Sequence, residues 1–553
     1  MRPCTRLLPV VIALAVLAAC SGVDPVDPEP AWEAPQLEIA FPASDGEVLS
    51  GEVTLTGSAA SEVGVFKVEL QLDEGQRVQA VGREEWSFPL DTRRLDQGTH
   101  TVTAWVTDRK GQSASAMRTF EVRNAAAPAE LVASAVQLSD AEVSTWDRFR
   151  AEVTLSSTGA GTAELADVAL KAWPEDAEGP VLTLGEPVAE VRLAPGETLT
   201  LRGEHIFNPL EPLGSWKVAL TWRDAVTGDV HETPAETVVV RRELLLGAAL
   251  HNGRLFNASE PLYAETFVEH FDALTPEFEM KWAQIQPQEG VYDFSVVDRM
   301  VAFAETRGKR VRGHVLAWHK SLPGWITSRS WTREQAIALL EDYVAVVMGR
   351  YKGRINEWDI VNEAFLNDGN WRTGMWFDTI GPDYIEIAFR AAHRADPAAR
   401  LFYNDYDAER VNAKSTKILE TLTALRQAGV PIHGVGFQGH VSFNYYPTEQ
   451  QLAQNFTRFH GAGFVTYISE LDVRTSSRPD LTVAERLQLQ ADVYRGIARA
   501  CSTLPGCTGL TTWGITDKYT WLTTQEMPLP FDANYQRKPA FDALEQAFGR
   551  DVP

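Results

Sequence analysis

Two glutamates close apolar runs: Glu363 ends WDIVNE and Glu470 ends TYISE, 107 residues further on. Two carboxyl groups on either side of one cleft suit hydrolysis of a glycosidic bond. One acid protonates the departing oxygen, and one carboxylate attacks the anomeric carbon or activates water. Either glutamate alone reads as a solvated loop residue; their companions change that reading. Asn362 directly precedes Glu363, and His440 and Asp472 are candidates to fix the charge on Glu470. Trp513 and Trp521 offer faces for a sugar ring, and His314 and Trp318 add further ring contacts. A metal held by His314, His319 and His440 has no support in the spacing.

Residues so far apart need a fold that gathers them. From residue 243 onward, apolar strand-like runs alternate with helical patterns: LLLGAAL, FEMKW, KRVRGHVLAW, INEWDIVNE, ARLFYNDY, IHGVGFQGH, FVTYISELD and GLTTWGITD. Eight β/α units over roughly 300 residues point to a (β/α)8 TIM barrel. The polar and aromatic residues sit at the C-terminal ends of these runs, the face that carries the active site in such barrels. Glu363 and Glu470 fall on the fourth and seventh strands.

The segment before the barrel reads as export signal, tether and β modules. Arg2 and Arg6 precede an apolar run from Leu7 to Leu17, followed by Leu17-Ala18-Ala19-Cys20. A charged start, a short apolar core and small residues at the cut describe an export signal, too short for a membrane span of about 20 residues. Leu-Ala-Ala-Cys resembles a bacterial lipobox. Residues 1–19 are thus expected to be a lipoprotein signal peptide, Cys20 the lipidation site and 20–36 a Pro- and acid-rich tether. Outer membrane or cell surface is the expected location, with the lipid anchor as the only membrane contact.

Residues 37–123 alternate apolar and polar residues in runs such as GTHTVTAWVTD and fit one immunoglobulin-like β-sandwich. Residues 130–242 form a second β-rich block, and AEVRLAPGETLTL resembles adhesion-type immunoglobulin-like modules. Neither block shows a catalytic constellation. Their tryptophans, Trp86, Trp105, Trp146, Trp173, Trp216 and Trp222, suit core positions better than a sugar platform. The expectation is a multidomain chain: two all-β sandwiches, then the barrel over 243–550.

Of the four cysteines, Cys4 leaves with the signal and Cys20 takes the lipid, which leaves Cys501 and Cys507. In an exported chain this pair favours a disulfide over a metal site. The charge balance is acidic, 51 Lys+Arg against 75 Asp+Glu for a net −24, which argues against nucleic acid or an anionic membrane as partner. A neutral polymer is compatible with it.

Residues 243–550 resemble glycoside hydrolase family 10, the (β/α)8 β-1,4-xylanases. The motifs are TPEFEMKW (275–282), RGHVLAWH (312–319), WDIVNE (358–363), LFYNDY (401–406), GFQGH (436–440), SELD (469–472), TWGITDKYTW (512–521) and FDANYQRKPAFDAL (531–544). The resemblance implies an endo-1,4-β-xylanase acting by retaining double displacement, with no cofactor, no metal, xylan or xylo-oligosaccharides as partner and a monomeric state. Glu363 would be the acid/base and Glu470 the nucleophile. Asn362 would bond the 2-hydroxyl of the cleaved sugar, His440 would bond Glu470, and Asp472 would orient that histidine. Lys281, His314, Trp318, Gln438, Trp513 and Trp521 would line the subsite of the cleaved xylose, and Glu277 would hold the next xylose. Cys501–Cys507 looks like the family's disulfide before the eighth strand. Hydrolysis of another β-1,4-glycan, or non-catalytic polysaccharide binding by a surface lipoprotein, are the alternatives.

Three places depart from the family pattern. Phe278 stands where an Asn is usual, and His319-Lys320-Ser321 where His-Ser-Gln is usual. Leu522 follows Trp521 where an Arg is common. The first two changes remove amides from the second glycone subsite.

Overall fold

The computed structural model describes residues 32–124, 128–176 and 178–550. The chain divides into two compact units, one up to Ala129 together with Gly159–Gly161, the other taking in the remainder. The signal segment at 1–19 and the lipidation site Cys20 lie outside the described residues.

In the first unit, Gln36–Phe41, Glu52–Ala60 and Glu85–Asp91 make one sheet, and Val65–Leu72, Gly98–Asp108 and Ser113–Val122 the other. In Gly98–Asp108 the alternation is plain: Val102, Ala104 and Val106 are buried, with half-buried Thr103, Trp105 and Thr107 between them. This period of two puts one face into the core, where it meets Leu55, Val68, Trp86 and Phe120. Gly57 lies under Trp86, and a Cβ there would meet the indole at 2.2 Å, so only glycine lets the strand pass.

The second unit begins with another sandwich. Arg148–Ser157 pairs with Thr198–Ile206 in one sheet, and Ala163–Pro174 lies between Leu182–Leu193 and Gly214–Asp224 in the other. Phe149, Phe207 and Trp216 fill its core. Trp146 and Leu210 instead pack on Phe402, Val465 and Tyr467 at the N-terminal end of the barrel, and the Arg400 guanidinium lies 5.3 Å from the Trp146 ring. Arg242, where the sandwich ends, donates to the carbonyls of Ser502 (2.5 Å) and Leu504 (2.6 Å).

The barrel strands are β1 (Leu245–Leu250), β2 (Ala273–Pro276), β3 (Arg310–Ala317), β4 (Glu357–Asn362), β5 (Arg400–Asp405), β6 (Gly434–Phe437), β7 (Val465–Arg474) and β8 (Cys507–Thr512). Each pairs in parallel with the next, and β8 pairs with β1, which closes the ring. The main outer helices are α1 (Leu262–His270), α2 (Ser295–Glu305), α3 (Arg333–Arg350), α4 (Tyr384–Ala395), α5 (Ala413–Gln427), α6 (Glu449–Gly461), α7 (Val483–Thr503) and α8 (Pro539–Ala547). In α4, Ile385, Ala388, Phe389 and Ala392 recur at helical spacing and are buried. Helices α3, α5, α6 and α7 start with reciprocal caps, Thr332 with Gln335, Asn412 with Ser415, Thr448 with Gln451 and Thr482 with Glu485. Such a cap stabilises a helix start by about 1 kcal/mol.

One strand lies elsewhere than the sequence pattern suggests. FEMKW alternates apolar and polar residues, yet β2 is the preceding ALTP, all four residues buried. Glu277 still bonds Leu250 of β1, but the chain then turns, with Lys281 N–H bonding the Phe278 carbonyl at 3.1 Å. A short helix follows at Trp282–Ile285. The alternation in FEMKW comes from a turn over the barrel mouth.

Candidate active site

The C-terminal ends of the strands enclose a cleft of about 740 Å³. Strand β2 is followed by Glu277 and Lys281, β3 supplies His314 and is followed by Trp318, and β4 ends at Asn362 and Glu363. Gln438 and His440 follow β6, Glu470 lies on β7, and Trp513 and Trp521 come after β8. All these residues line the cleft. Asp472, two residues beyond Glu470 on the same strand, is fully buried behind His440 and does not.

Glu363 has φ +59°, a left-handed backbone that costs a non-glycine residue roughly 1–3 kcal/mol. Its N–H bonds the Asn404 carbonyl at 2.9 Å, and its own carbonyl accepts from Arg372 Nε at 2.8 Å. Its Oε1 accepts from Gln438 Nε2 at 3.2 Å, while Oε2 has no hydrogen-bond partner and lies 3.9 Å from His319 Nε2. Asn362 accepts at its amide oxygen from Asn404 Nδ2 at 3.0 Å and from Gln438 Nε2 at 3.1 Å.

Glu470 is held differently. Asn404 Nδ2 donates to Oε1 at 2.8 Å, and His440 Nε2 lies 3.3 Å from Oε2. His314, anchored to Asp359 at 3.0 Å, approaches Oε1 at 4.0 Å. The backbone N–H of Glu470 bonds the Gln438 carbonyl at 2.8 Å, so Gln438 touches both glutamates. Asn404 reaches Glu470 only because Gly436 leaves room, since a Cβ there would stand 2.2 Å from Asn404 Oδ1.

The electrostatics favour the charged form of Glu470. Burial pushes the Glu470 carboxyl up, but His314, the hydrogen bond and charge of His440, and the Lys281 ammonium together outweigh it and hold Glu470 below its usual range. His440 loses basicity by burial, yet Asp472 and Glu470 raise it to about 10, so it carries a proton at neutral pH. His319, desolvated beside Glu363, falls to about 4 and is neutral there.

A model of the family described as "Glycosyl hydrolase family 10" matches residues 236–547. This chain belongs to glycosyl hydrolase family 10. A bacterial Ig domain matches residues 35–104 of the first unit. Endo-1,4-beta-xylanase B of Thermotoga neapolitana is 37% identical over 322 residues, covering 57% of this chain and 91% of the relative. Endo-1,4-beta-xylanase A of Phanerodontia chrysosporium is 35% identical over 56% of this chain and 75% of the relative. Among solved structures, native xylanase 10B from Thermotoga maritima is 38% identical with a TM-score of 0.54, over 56% of this chain and 95% of that one. Xylanase 10B from Thermotoga petrophila RKU-1 in complex with xylobiose has the same identity and TM-score, over 56% and 94%.

Within this family 10 barrel, Phe278 sits 41% exposed on the cleft wall with the Lys281 ammonium 5.7 Å from its ring. Three residues beside the glutamates carry no assigned catalytic or binding role in the sequence reading: Asn404 and His319 stand there only as polar residues at strand ends, and Arg372 is not named. Asn404 pairs in register with Asn362 across β4 and β5, so its place at a strand end was its signal. Arg372 lies in the loop after β4, and its sequence surroundings give no sign of its contact. His319 enters the sequence reading as a strand-end residue, as part of the His319-Lys320-Ser321 departure and as an unsupported metal ligand, not as a neighbour of Glu363. The disulfide between Cys501 and Cys507 is formed, with Cα atoms 5.1 Å apart, and links the end of α7 to β8.

Proposed function

We propose that this chain is an endo-1,4-β-xylanase that cleaves internal β-1,4 bonds of xylan by retaining double displacement. The observation that carries this reading is the unlike environment of two glutamates on one cleft: Glu470 fully paired and held ionised, Glu363 with one oxygen unpartnered. Glu470 attacks the anomeric carbon as the bond to the leaving oxygen breaks, and Glu363 gives that oxygen its proton. The product is a glycosyl ester on Glu470. That ester carries no negative charge, which suits Glu363 to take a proton from the incoming water. Water then attacks the anomeric carbon, the ester bond breaks and the original configuration returns. Asn404 and protonated His440 hold the Glu470 oxygens, with Asp472 keeping His440 charged. Asn362 bonds the 2-hydroxyl of the cleaved xylose. Lys281, His314, Trp318, Gln438, Trp513 and Trp521 bind that sugar, and Glu277 the next.

The sequence supports an exported lipoprotein anchored through Cys20 at the outer membrane or cell surface, acting as a monomer with the β modules as spacers. Among the described residues no helix is long and apolar enough to cross a membrane. The test of the substrate is reducing sugar released from xylan, mixed-linkage glucan and carboxymethylcellulose. Release from xylan well above the other two is expected; equal or greater release from a glucan overturns the xylan assignment.

A further inference from the structure

We propose that Arg474 and Lys320 read carboxylate-bearing side groups, so that this enzyme prefers xylan substituted with uronic acid to uncharged xylan of the same shape. The proposal rests on the xylan reading above.

Most of the charged groups along the cleft are engaged. Lys281 is half-buried beside the carboxylates of Glu277, Glu363 and Glu470, Glu277 faces Arg254 at 3.7 Å, and His440 is held by Asp472 at 2.9 Å. Arg474 and Lys320 both line the cleft. Among the described residues, neither cationic head has a hydrogen bond or an ion pair. Arg474 falls on the same face of β7 as Glu470 and Asp472, because side chains on a strand alternate. Its guanidinium carbon lies 5.2 Å from the Trp521 ring, and its Nε is buried without a partner. The Trp521 ring is 51% exposed, open for a sugar to lie beside that guanidinium. Lys320 is exposed, with its ammonium 5.5 Å from the Trp318 ring.

In a chain with 75 acidic residues against 51 basic ones, two cations without carboxylate partners on one cleft leave positive charge open to a ligand. A xylan backbone is neutral: its hydroxyls accept hydrogen bonds but bring no opposite charge to these two cations. Acetyl and arabinosyl side groups are neutral as well; a uronic acid side group is an anion at neutral pH. A guanidinium fork matches a carboxylate in two parallel hydrogen bonds, and an ammonium adds a point charge. The net −24 of the chain repels a polyanionic substrate at long range. Contact specificity therefore falls to cations within the cleft.

The experiment compares kcat/KM on glucuronoxylan with kcat/KM on the same polymer after reduction of its carboxyl groups to hydroxymethyl groups. The expected preference for the acidic form is about fivefold at low salt, shrinking towards one near 1 M salt. Arg474→Gln and Lys320→Ser should each lower the ratio, and the double variant should bring it close to one. Arg474→Lys should keep part of it. Should Arg474→Gln fold poorly, exposed Lys320 carries the test alone. A wild-type ratio near one, or a ratio unmoved in the double variant, overturns the proposal. Failure to cleave either polymer overturns the xylan reading and this proposal with it, whereas cleavage of both at equal rates overturns only this one.

Discussion

Trp521 donates its indole N–H to Asp472 Oδ2 at 2.7 Å, the same oxygen that holds His440 Nδ1 at 2.9 Å. An aromatic wall of the cleft and the histidine beside Glu470 thus share one buried acceptor. Positioning of the sugar and tuning of the nucleophile are coupled through Asp472.

Replacing His440 by Asn removes one of the influences that hold Glu470 below its usual range. The acid limb of the kcat/KM profile should therefore move to higher pH in His440→Asn, with reduced activity throughout. An acid limb that stays in place would separate His440 from the ionisation of Glu470.

The same histidine makes a stability prediction. His440 is raised from 6.5 to about 10. Its contribution to stability is fully present below about pH 6.5 and is lost as pH rises through about 10, because the unfolded state sheds the proton first. Urea unfolding at pH 6.5 and near pH 10 should show a larger loss for wild type than for His440→Asn. Equal losses would contradict the assignment.

Phe278 and Ser321 replace two amide-bearing residues of the family pattern. Phe278 can neither donate nor accept the missing bond, and Ser321 is shorter than Gln. At about 0.5–1.5 kcal/mol per bond, the second glycone subsite should bind about tenfold more weakly than with both amides present. Phe278→Asn with Ser321→Gln should raise kcat/KM on an aryl xylobioside relative to the xyloside with the same leaving group. An unchanged ratio would show that other contacts already fill that subsite.

Much of this was legible in the sequence because strand ends carry chemistry at fixed places. Glu363 directly follows β4, and Glu470 closes the apolar run of β7 although that strand continues to Arg474; a parallel barrel sends both to one mouth. FEMKW was misleading because a turn can carry the apolar–polar alternation of a strand without its geometry: Phe278 and Lys281 face the cleft, whereas Glu279, Met280 and Trp282 are buried. Arg372 was illegible because its contact is with the Glu363 carbonyl, a backbone group that leaves no mark on residue type. Arg474 was hidden because β7 runs on past SELD, and only the observed length of the strand places residue 474 on the cleft face.

The disulfide closes a short loop, with six positions separating Cys501 and Cys507. The chain-entropy estimate for such a loop is about 2 kcal/mol. Reduction should lower the melting temperature by a few degrees, and a chelator should have no effect. Melting that responds to chelator and not to reductant would contradict this account.

The proposed lipidation at Cys20 predicts a membrane-associated protein that Cys20→Ser releases into the soluble or periplasmic fraction. Unchanged fractionation would leave an ordinary export signal.

The central claim is the division of labour between Glu470 and Glu363, and azide rescue tests it most directly. Glu470→Ala should lose xylan hydrolysis by about ten-thousandfold or more and, with azide present, yield a glycosyl azide of inverted configuration. Glu363→Ala should lose about 10²–10⁴-fold on xylan but little on substrates whose leaving groups need no proton, and azide should give it a product of retained configuration. Near-normal xylan cleavage by Glu470→Ala, or a retained azide product from that variant, would contradict the account.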